Sequence, residues 1–309
     1  MTDSSSIAPI ALLVFNRPHL LARVIDQIRR VQPPLILVVA DGPRPNVPAD
    51  VQLCAEVRAL VRDRIDWGAK VLTHYSEINL GLRKRVSTGL DWVFQNVEEA
   101  IMFEDDCLPD PTFFRFCTDL LGHYRHDTRI GAIAGTNFQP QNPSCAESYY
   151  FSKYPHCWGW ATWRRAWKLF DSDLTEWPRL RDQRWLNGLF ADELQARFWE
   201  QLFEGVHEGK INSWAYAWTF SCWAQSMMTI LPQSNLVTNV GFGEAATHTT
   251  ASGSRFELKA TPISFPLSHP KTVAIDAAAD DFTQHTVFGS AEPRSVMERL
   301  RRWINRRVT

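Results

Sequence analysis

The sequence predicts an α/β fold with a mainly parallel central sheet, and three observations favour it. From residue 9 to about residue 106, short β-branched apolar runs alternate with segments whose apolar residues recur at helical spacing, which is typical of strand–helix–strand units. The apolar runs are continuous, as expected of strands covered on both faces. The composition, 45% hydrophobic and 22% charged over 309 residues, is that of a soluble globular chain and argues against disorder, collagen or a membrane span.

The predicted elements follow one another in a regular order. Strands are predicted at residues 10–15, 35–40, 70–74, 100–103 and 130–134. The first helix begins at Pro18, because proline suits a first helical position, and further helices are predicted at residues 51–65, 83–97 and 112–124. Asp110 precedes the last of these helices and is interpreted as its cap. Residues 249–281, rich in Ala, Ser, Thr, His and Pro, are predicted to be loop.

Tryptophans concentrate in the second half of the chain. Ten of the thirteen lie between residues 158 and 223, interleaved with Arg and Asp, which indicates a half of different construction and purpose. Large aromatic side chains build platforms for sugar rings, but they also fill cores. Core packing is the expectation for most of them, and only Trp158 and Trp160 are candidates for a binding site.

Net charge and cysteine usage argue against several classes of protein. The 33 basic and 34 acidic residues leave a net charge of -1, too little to gather a polyanion, so no nucleic-acid partner is expected. The six cysteines show neither C-x-x-C pairs nor the spacing of zinc ligands, and we expect them to be reduced. Because the chain has neither a run of about 20 apolar residues nor a signal-peptide pattern, it is predicted to be cytoplasmic.

Glu104, Asp105 and Asp106 give the clearest chemical signal, directly after the predicted strand at residues 100–103. Three adjacent carboxylates repel one another, and burying them is costly without a cation. Mg²⁺ and Mn²⁺ take such oxygen ligands and bind substrate phosphates at the same time. The triplet therefore suggests a metal-bound diphosphate, unless it only begins the loop that leads to the next helix.

Polar residues also follow the three preceding strands, at the edge of the sheet where open α/β folds bind ligands. Asp41 is suited to accept a hydrogen bond from a base or a ribose, and Arg17 and Arg83 are suited to bind phosphate oxygens. Each residue alone is more typical of a turn or a solvated charge, but together they favour a nucleotide site. The candidates are Asn16, Arg17, Asp41, Gly42, Asn79, Gly81 and Arg83.

The short motifs of the chain argue against two kinds of nucleotide-binding fold and resemble a third. The turn after the first strand lacks G-x-G-x-x-G, and the chain has no G-x-x-x-x-G-K-[ST], so a dinucleotide fold or a phosphate-loop NTPase is not supported. Six other segments, over about residues 8–250, resemble bacterial GT-A glycosyltransferases related to the N-acetylglucosaminyltransferase I family. They are Phe15-Asn16-Arg17-Pro18, Asp41-Gly42, Asn79-Leu80-Gly81-Leu82, Phe103-Glu104-Asp105-Asp106, Trp158-Gly159-Trp160-Ala161-Thr162-Trp163 and Gly241-Phe242-Gly243-Glu244.

This resemblance implies a metal-dependent glycosyltransferase of GT-A fold, a Rossmann-like nucleotide-diphosphosugar transferase with an aromatic-rich acceptor half. It makes Asp106 the direct ligand of Mn²⁺ or Mg²⁺. Glu104 and Asp105 would support the sugar and the ribose of the donor, and Asp41 would recognise the base. The implied donor is a nucleotide-sugar, with UDP as the nucleotide.

The resemblance also assigns residues around the diphosphate and the sugar. Arg17 and the region of Arg83 would lie near the nucleotide and its diphosphate. Trp158, Gly159 and Trp160 would shape the donor-sugar and acceptor side. The tryptophan-glycine segment follows the acidic triplet along the chain, which is the order of these motifs in the family.

The resemblance further implies inversion: a catalytic carboxylate takes the proton of the acceptor hydroxyl, which attacks the anomeric carbon opposite the leaving diphosphate. Related sequences carry Asp at the second position of W-D-x-x-W, where this chain has Ala215, and alanine cannot accept a proton. Three explanations stay open: an engineered variant, a natural variant whose base lies elsewhere, or a different alignment of this segment. Glu244 is the leading substitute for the base. His248 is a candidate for binding the metal or the diphosphate, or an ordinary loop residue.

The tail carries a separate signal. Between residues 294 and 309, six arginines occur with one acidic residue, and apolar residues recur at helical spacing. This pattern predicts a basic amphipathic helix that lies on an anionic membrane surface, or a helix docked on the body with a solvated arginine face. The predicted organisation is a nucleotide-sugar-binding half (1–110), an acceptor-binding and catalytic half of the same domain (111–250) and a loop-rich tail (251–309).

The function implied is inverting, metal-dependent transfer of a sugar to a bacterial cell-surface glycan or lipid-linked acceptor, such as lipopolysaccharide or capsule, at the inner face of the cell membrane. A sugar-nucleotide nucleotidyltransferase uses a related fold, but it needs a glycine-rich, Arg-containing loop after the first strand. A non-catalytic nucleotide-sugar-binding protein is the other alternative, and Ala215 favours it.

Overall fold

The computed structural model of the chain describes residues 6–140, 146–241 and 258–289. These residues form an eight-stranded sheet with helices on both faces and a separate two-stranded ribbon. The strands are β1 (Ile10–Val14), β2 (Leu35–Ala40), β3 (Lys70–Tyr75), β4 (Glu99–Glu104), β5 (Cys107–Pro109), β6 (Ile130–Ala134), β7 (Tyr149–Ser152), β8 (Trp160–Trp163), β9 (Met228–Pro232) and β10 (Val237–Asn239). The helices are α1 (Pro18–Arg29), α2 (Ala49–Arg64), α3 (Leu82–Asn96), α4 (Pro111–His123), α5 (Arg164–Trp167), α6 (Trp177–Asp182), α7 (Glu193–His207), α8 (Trp214–Ala224) and α9 (Ala277–Thr283), with a 3₁₀ turn at Trp185–Gly188 and a π-helical turn at Gln284–Phe288.

The sheet is mainly parallel, which confirms the predicted α/β class. Its strand order is β3-β2-β1-β4-β8-β6-β9-β7, and β8 and β7 run against the other six strands. β1 pairs in parallel with β2 on one side and β4 on the other, and β3 pairs in parallel with β2. The residues that follow these four strands therefore meet at one edge of the sheet, which we call the carboxyl edge.

Helices cover both faces of the sheet. Apolar residues of α1, α2 and α4 pack on one face, and those of α3 and α5 to α8 pack on the other. β1, β2 and β4 are buried between these layers, as their continuous apolar runs predict. The same prediction is wrong for β3, because β3 is the edge strand next to β2 and its side chains are exposed or half-buried.

The tryptophan-rich half is mostly core. Trp160 lies at the centre of this part, with its ring stacked on Trp214 at a centroid distance of 5.6 Å and in contact with Trp218. Such contacts between large rings stabilise a core beyond the area that they bury. The fully buried tryptophans are Trp160, Trp163, Trp177, Trp199, Trp214 and Trp218.

Two helix caps can be compared with the sequence. The Asp110 side chain accepts a hydrogen bond from the Thr112 amide over 2.9 Å, so its predicted role as the cap of α4 is confirmed. The predicted loop at residues 249–281 is wrong at its end, because α9 begins at Ala277 with Asp276 as its cap. Within the described ranges, no helix is both long enough and apolar enough to cross a membrane.

Candidate functional site

An arginine and two carboxylates meet at the carboxyl edge of the sheet. Arg17 follows β1, and Asp105 and Asp106 follow β4, the parallel neighbour of β1. The Arg17 guanidinium donates through Nη2 to Oδ1 of Asp105, and through Nη1 to Oδ2 of Asp106 over 3.0 Å. The structure therefore brings the predicted phosphate-binding arginine together with two of the three predicted acidic residues.

The two carboxylates differ in burial. The Asp105 side chain is 3% exposed and the Asp106 side chain 14% exposed. Burial raises the pKa of the Asp105 carboxyl above its ordinary value, Arg17 opposes that rise, and Asp106 adds to it. Burial alone would lower the pKa of the Arg17 guanidinium, but the two carboxylates outweigh it and hold that pKa above its ordinary value. Asp105 is thus the buried partner of the arginine, and Asp106 is the partner that faces solvent.

The two-stranded ribbon ends against Asp106. β10 pairs antiparallel with β5, which begins directly after Asp106, and the Val240 amide donates to the Asp106 carbonyl over 2.8 Å. A Cβ atom on Gly241 would approach Oδ2 of Asp106 more closely than 3.0 Å, so any larger residue here would force this carboxylate to move. The two other predicted site residues of this region, Glu244 and His248, lie outside the described residues.

The acidic pair fits a divalent cation that a diphosphate helps to hold. Within the described part of the chain, no three His, Cys, Asp or Glu side chains are grouped so as to hold a metal ion by themselves. Asp106 offers a partly exposed carboxylate, and Gly241 adds no side chain beside it. Mg²⁺ is commonly bound by one or two carboxylates together with substrate phosphates. If an ion binds here, Asp106 is the residue that would hold it, and this assignment stays a prediction.

Asp41 joins the loops that follow β2 and β3. Its carboxylate is buried and accepts four hydrogen bonds of 2.9–3.2 Å. A carboxylate offers about four acceptor positions, so these donors fill Asp41. The observed role of Asp41 is to hold the two loops together, and its predicted contact with the base requires one of these bonds to be exchanged. The donors are the Gly42, Leu80 and Gly81 amides and the Asn79 side chain.

The close approach of these two loops depends on glycine. A Cβ atom on Gly42 would lie 2.5 Å from the carbonyl carbon of Ile78. Gly81 adopts a positive φ of 77°, which side chains other than glycine rarely allow. Both glycines are predicted to bind nucleotide. The structure shows that they shape the two loops that Asp41 joins.

Sequence reasoning missed Asp50, which organises the end of β1. Asn16 donates to Oδ1 of Asp50 over 2.8 Å, and Arg44 donates to Oδ2 over 2.7 Å. Burial alone would raise the pKa of Asp50, but the hydrogen bonds from Arg44 and Asn16 hold it below its ordinary value. Asp50 lies in the first turn of α2 rather than at a strand end, so the strand-end pattern does not point to it. Asn16 is consequently a partner of Asp50, which Arg44 also contacts.

The contacts of Arg83 are with the second half of the chain, and its predicted place near the diphosphate stays a prediction. Its guanidinium donates to the Ser172 carbonyl and, over 3.3 Å, to the Val206 carbonyl at the end of α7. Arg83 lies in the first turn of α3 on the side that faces α7. Arg85, about 200° further around the helix, donates instead to the His74 carbonyl of β3. Arg83 therefore ties α3 to α7.

The predicted sugar-facing segment is divided between surface and core. Trp160 is 2% exposed, so the structure does not support a contact of its ring with a sugar. Trp160 is the first residue of β8, which lies between β4 and β6 in the sheet. Its ring packs against Trp214, in the helical layer on one face of the sheet. Gly159 has a φ of 65°, and its carbonyl accepts from the Gly135 amide over 2.7 Å. Trp158 is half-buried near the carboxyl edge and keeps its candidate role.

Ala215 is a half-buried residue in the first turn of α8. Trp214 beside it stacks on Trp160, which pairs across the backbone with Met102, two residues before the end of β4. Position 215 therefore lies next to the tryptophan layer that packs on the sheet, and its role in the site stays a prediction.

No protein-family model and no curated protein matches the chain. Solved structures are similar to it at low sequence identity. A mannosyltransferase from Pyrobaculum calidifontis in complex with GDP-Man and Mn²⁺ is similar at a TM-score of 0.34 and 16% identity, over 52% of this chain and 46% of that one. The inositol-1-phosphate CTP transferase from T. maritima is similar at 0.41 and 10%, over 76% and 90%. UDP-glucose pyrophosphorylase complexed with UDP-glucose is similar at 0.39 and 9%, over 76% and 94%. TM-scores this low do not indicate a shared function.

Proposed function

We propose that the chain is a metal-dependent glycosyltransferase of GT-A type that uses a nucleotide-sugar donor. The observation that carries this proposal is the bridge from Arg17 to Asp105 and Asp106. It puts a guanidinium, which suits phosphate oxygens, beside carboxylates that suit a divalent cation. It does so at the carboxyl edge, where open α/β sheets bind their ligands.

The proposed chemistry follows from these groups. Asp106 holds Mn²⁺ or Mg²⁺ together with the donor diphosphate, and the ion, when bound, neutralises the charge that develops on the leaving diphosphate. Arg17 donates to phosphate oxygens, for which its planar fork of N–H groups is suited. The loops joined by Asp41 contribute backbone groups beside them for the nucleoside, with UDP as the proposed nucleotide.

A nucleotidyltransferase is less well supported. Such an enzyme needs a glycine-rich, Arg-containing loop after the first strand, long enough to wrap a triphosphate. Here residues 15–17 alone lie between the end of β1 and the start of α1, and Asn16 is bonded to Asp50. A loop of this length cannot enclose a triphosphate, although its arginine can reach one side of a diphosphate.

The proposed transfer also needs a catalytic base. Inversion requires a carboxylate that takes the acceptor proton, and Ala215 stands where related sequences carry one. Glu244, three residues after Gly241 in the chain, is the proposed substitute. If no group takes this role, the chain is a nucleotide-sugar-binding protein without transfer activity, which is the second candidate function.

The proposed acceptor is a bacterial surface glycan or a lipid-linked sugar. The observation behind it is the arginine-rich segment at residues 294–309, which lies outside the described residues. Each basic residue near an anionic surface contributes about 1 kcal/mol, so removing this segment should lower sedimentation with phosphatidylserine vesicles strongly. Equal sedimentation of the full and the truncated chain would refute the membrane part of the proposal.

A thermal-shift screen tests the donor class. UDP- and GDP-sugars are added to the full chain with and without Mn²⁺, because a ligand at 100 times its Kd stabilises the native state by about 2.7 kcal/mol. The proposal predicts a shift that needs both the nucleotide-sugar and the metal. Asp106→Asn should lose this shift, and Asp119→Asn, which removes a carboxylate from the surface of α4, should keep it.

A further inference from the structure

We propose that Arg17 competes with the metal ion for Asp106, and that the diphosphate relieves the competition by giving Arg17 a new partner. This inference rests on the proposed function for the identity of the diphosphate, but the competition itself rests on the contacts of Arg17. Its consequence is that metal and nucleotide bind together rather than in turn.

Both oxygens of Asp106 are already in contact with the protein. Oδ2 accepts from Nη1 of Arg17 over 3.0 Å and lies against the backbone of Gly241. Oδ1 lies 3.6 Å from Sγ of Cys107, which donates to it. A divalent cation bound at Oδ2 would be held at the same atom as the guanidinium, and two cations at that distance repel strongly in a partly buried site. The guanidinium therefore opposes the binding of a metal ion at this oxygen.

Arg17 can release Asp106 without losing its place. Its other N–H group is bonded to Asp105, whose side chain is buried, and Asp105 also accepts from the Phe15 backbone. The Arg17 side chain is 31% exposed and Asp106 is the more exposed of its two partners. The bond to Asp106 is therefore the one that solvent and ligands reach, and the bond to Asp105 is the anchor.

The charges favour a joint arrival of metal and diphosphate. Asp105 and Asp106 carry two formal negative charges beside the one positive charge of Arg17. A metal ion alone would compete with this arginine for Asp106 and would offer the guanidinium no other hydrogen-bond acceptor. A metal–diphosphate complex offers phosphate oxygens, which bind a guanidinium in the same forked geometry as carboxylates. Binding of the metal and of the diphosphate should therefore be positively coupled, and such coupling is reciprocal.

The test measures metal affinity in the absence of nucleotide. Mn²⁺ binding to the full chain is followed by electron paramagnetic resonance, first alone and then with UDP or GDP. Arg17→Gln removes the competing charge, and Arg17→Lys keeps a charge but not the fork. Arg23→Gln, which removes an exposed arginine from the same helix, is the control for net charge.

We expect Arg17→Gln to bind Mn²⁺ alone about tenfold more tightly than the unaltered chain, and to bind the diphosphate with Mn²⁺ about tenfold more weakly, within the range usual for coupled sites. Arg17→Lys should keep weak binding of Mn²⁺ alone and lose at least about fivefold of the coupling. Arg23→Gln should change neither affinity. A purely structural arginine would lower both affinities together.

The outcomes separate this inference from the proposed function. Unchanged or weaker Mn²⁺ affinity in a folded Arg17→Gln variant would overturn the competition. If that variant does not fold, unchanged coupling in Arg17→Lys would overturn it instead. Tighter Mn²⁺ binding in Arg17→Gln, without binding of UDP or GDP to any form of the chain, would support the competition and refute the proposed function.

Discussion

Oδ2 of Asp41 accepts a hydrogen bond from the backbone amide of Gly81 over 3.1 Å, so one carboxylate joins the ends of β2 and β3. Three further donors complete its shell. Asp41-Gly42 and Asn79-Leu80-Gly81 therefore form one arrangement, because the second segment supplies three of the four donors to Asp41. The loops would have to be in place before either could contact a nucleotide.

The first prediction concerns this shell. Asp41→Ala leaves the Gly42, Leu80 and Gly81 amides without their acceptor. Because Leu80 and Gly81 are only half-buried, each loss should cost about 1 kcal/mol, the lower end of the usual range, so we expect the free energy of unfolding to fall by about 3 kcal/mol in total. Urea denaturation measures this change. Asp119→Ala, which removes a surface carboxylate paired with Arg115, should change it by less than about 0.5 kcal/mol. An equally small effect at Asp41 would contradict the structural role.

A second prediction uses Gly241. In Gly241→Ala the new methyl group would overlap Oδ2 of Asp106, so the carboxylate must turn away from its present position. We expect Mn²⁺-dependent nucleotide affinity to fall at least about tenfold, as when the partner that orients a metal ligand is lost. Calorimetric titration measures it. Gly122→Ala is the matched control, because no atom lies within 4 Å of a Cβ at this α4 residue, and a gain of about 0.5–1 kcal/mol in stability is expected there.

A third prediction concerns pH. Burial raises the pKa of Asp280 from 3.8 to about 6, against the opposing hydrogen bonds from Ser152 and Lys153. Between pH 4 and pH 6 the folded chain therefore binds more protons than the unfolded chain, and the free energy of unfolding falls as the pH rises. A shift of about two pKa units corresponds to about 3 kcal/mol.

Asp280→Asn should remove this part of the pH dependence. Denaturation curves at pH 4, 5, 6 and 7 measure it. Asp281→Asn, on the exposed side of the same helix, should leave the dependence as it is. Parallel curves for the unaltered chain and the Asp280 variant would contradict the assignment.

The fourth prediction addresses the missing base. Position 215 is in the first turn of α8, where a carboxylate also suits the positive end of the helix, so Ala215→Asp should fold. We expect it to raise the rate of transfer by about 10²–10⁴, the usual contribution of a general base, with little change in donor affinity. Ala215→Asn is the control of equal shape that cannot take the proton. Fast transfer by the unaltered chain, or no gain in the Asp variant, would move the base to Glu244 or another acid.

Where the positions of residues follow from the order of parallel strands, the sequence predicts which of them come together. Arg17 and Asp105 come together because β1 and β4 are neighbours in a parallel sheet, and residues that follow such strands share one edge. Arg83 could not be placed in this way, since its direction depends on the rotation of α3 against α7. The burial of Trp160 depends on β8, a strand of four residues that runs against its neighbours and was not predicted.

Asp50 shows a second limit of prediction. Asp50 belongs to α2, whereas Asn16 follows β1, and no strand-end or helical pattern connects two residues that lie 34 positions apart in the sequence. Gly42 and Gly81 were singled out as parts of strand-end motifs and as candidates for nucleotide binding, which stays a prediction. Their close approach and positive φ come from loop geometry that the sequence pattern does not show, and the contact of Gly241 with Asp106 could not be predicted either.

The most direct test of the account is a calorimetric titration of UDP and GDP into the full chain, with and without Mn²⁺, for the unaltered protein and for Asp106→Ala. The proposed function predicts that one nucleotide binds in a Mn²⁺-dependent manner, and that Asp106→Ala abolishes the dependence on the metal. Asp119→Ala should behave as the unaltered chain. A nucleotide affinity that requires Mn²⁺ and is the same in Asp106→Ala would contradict the central claim.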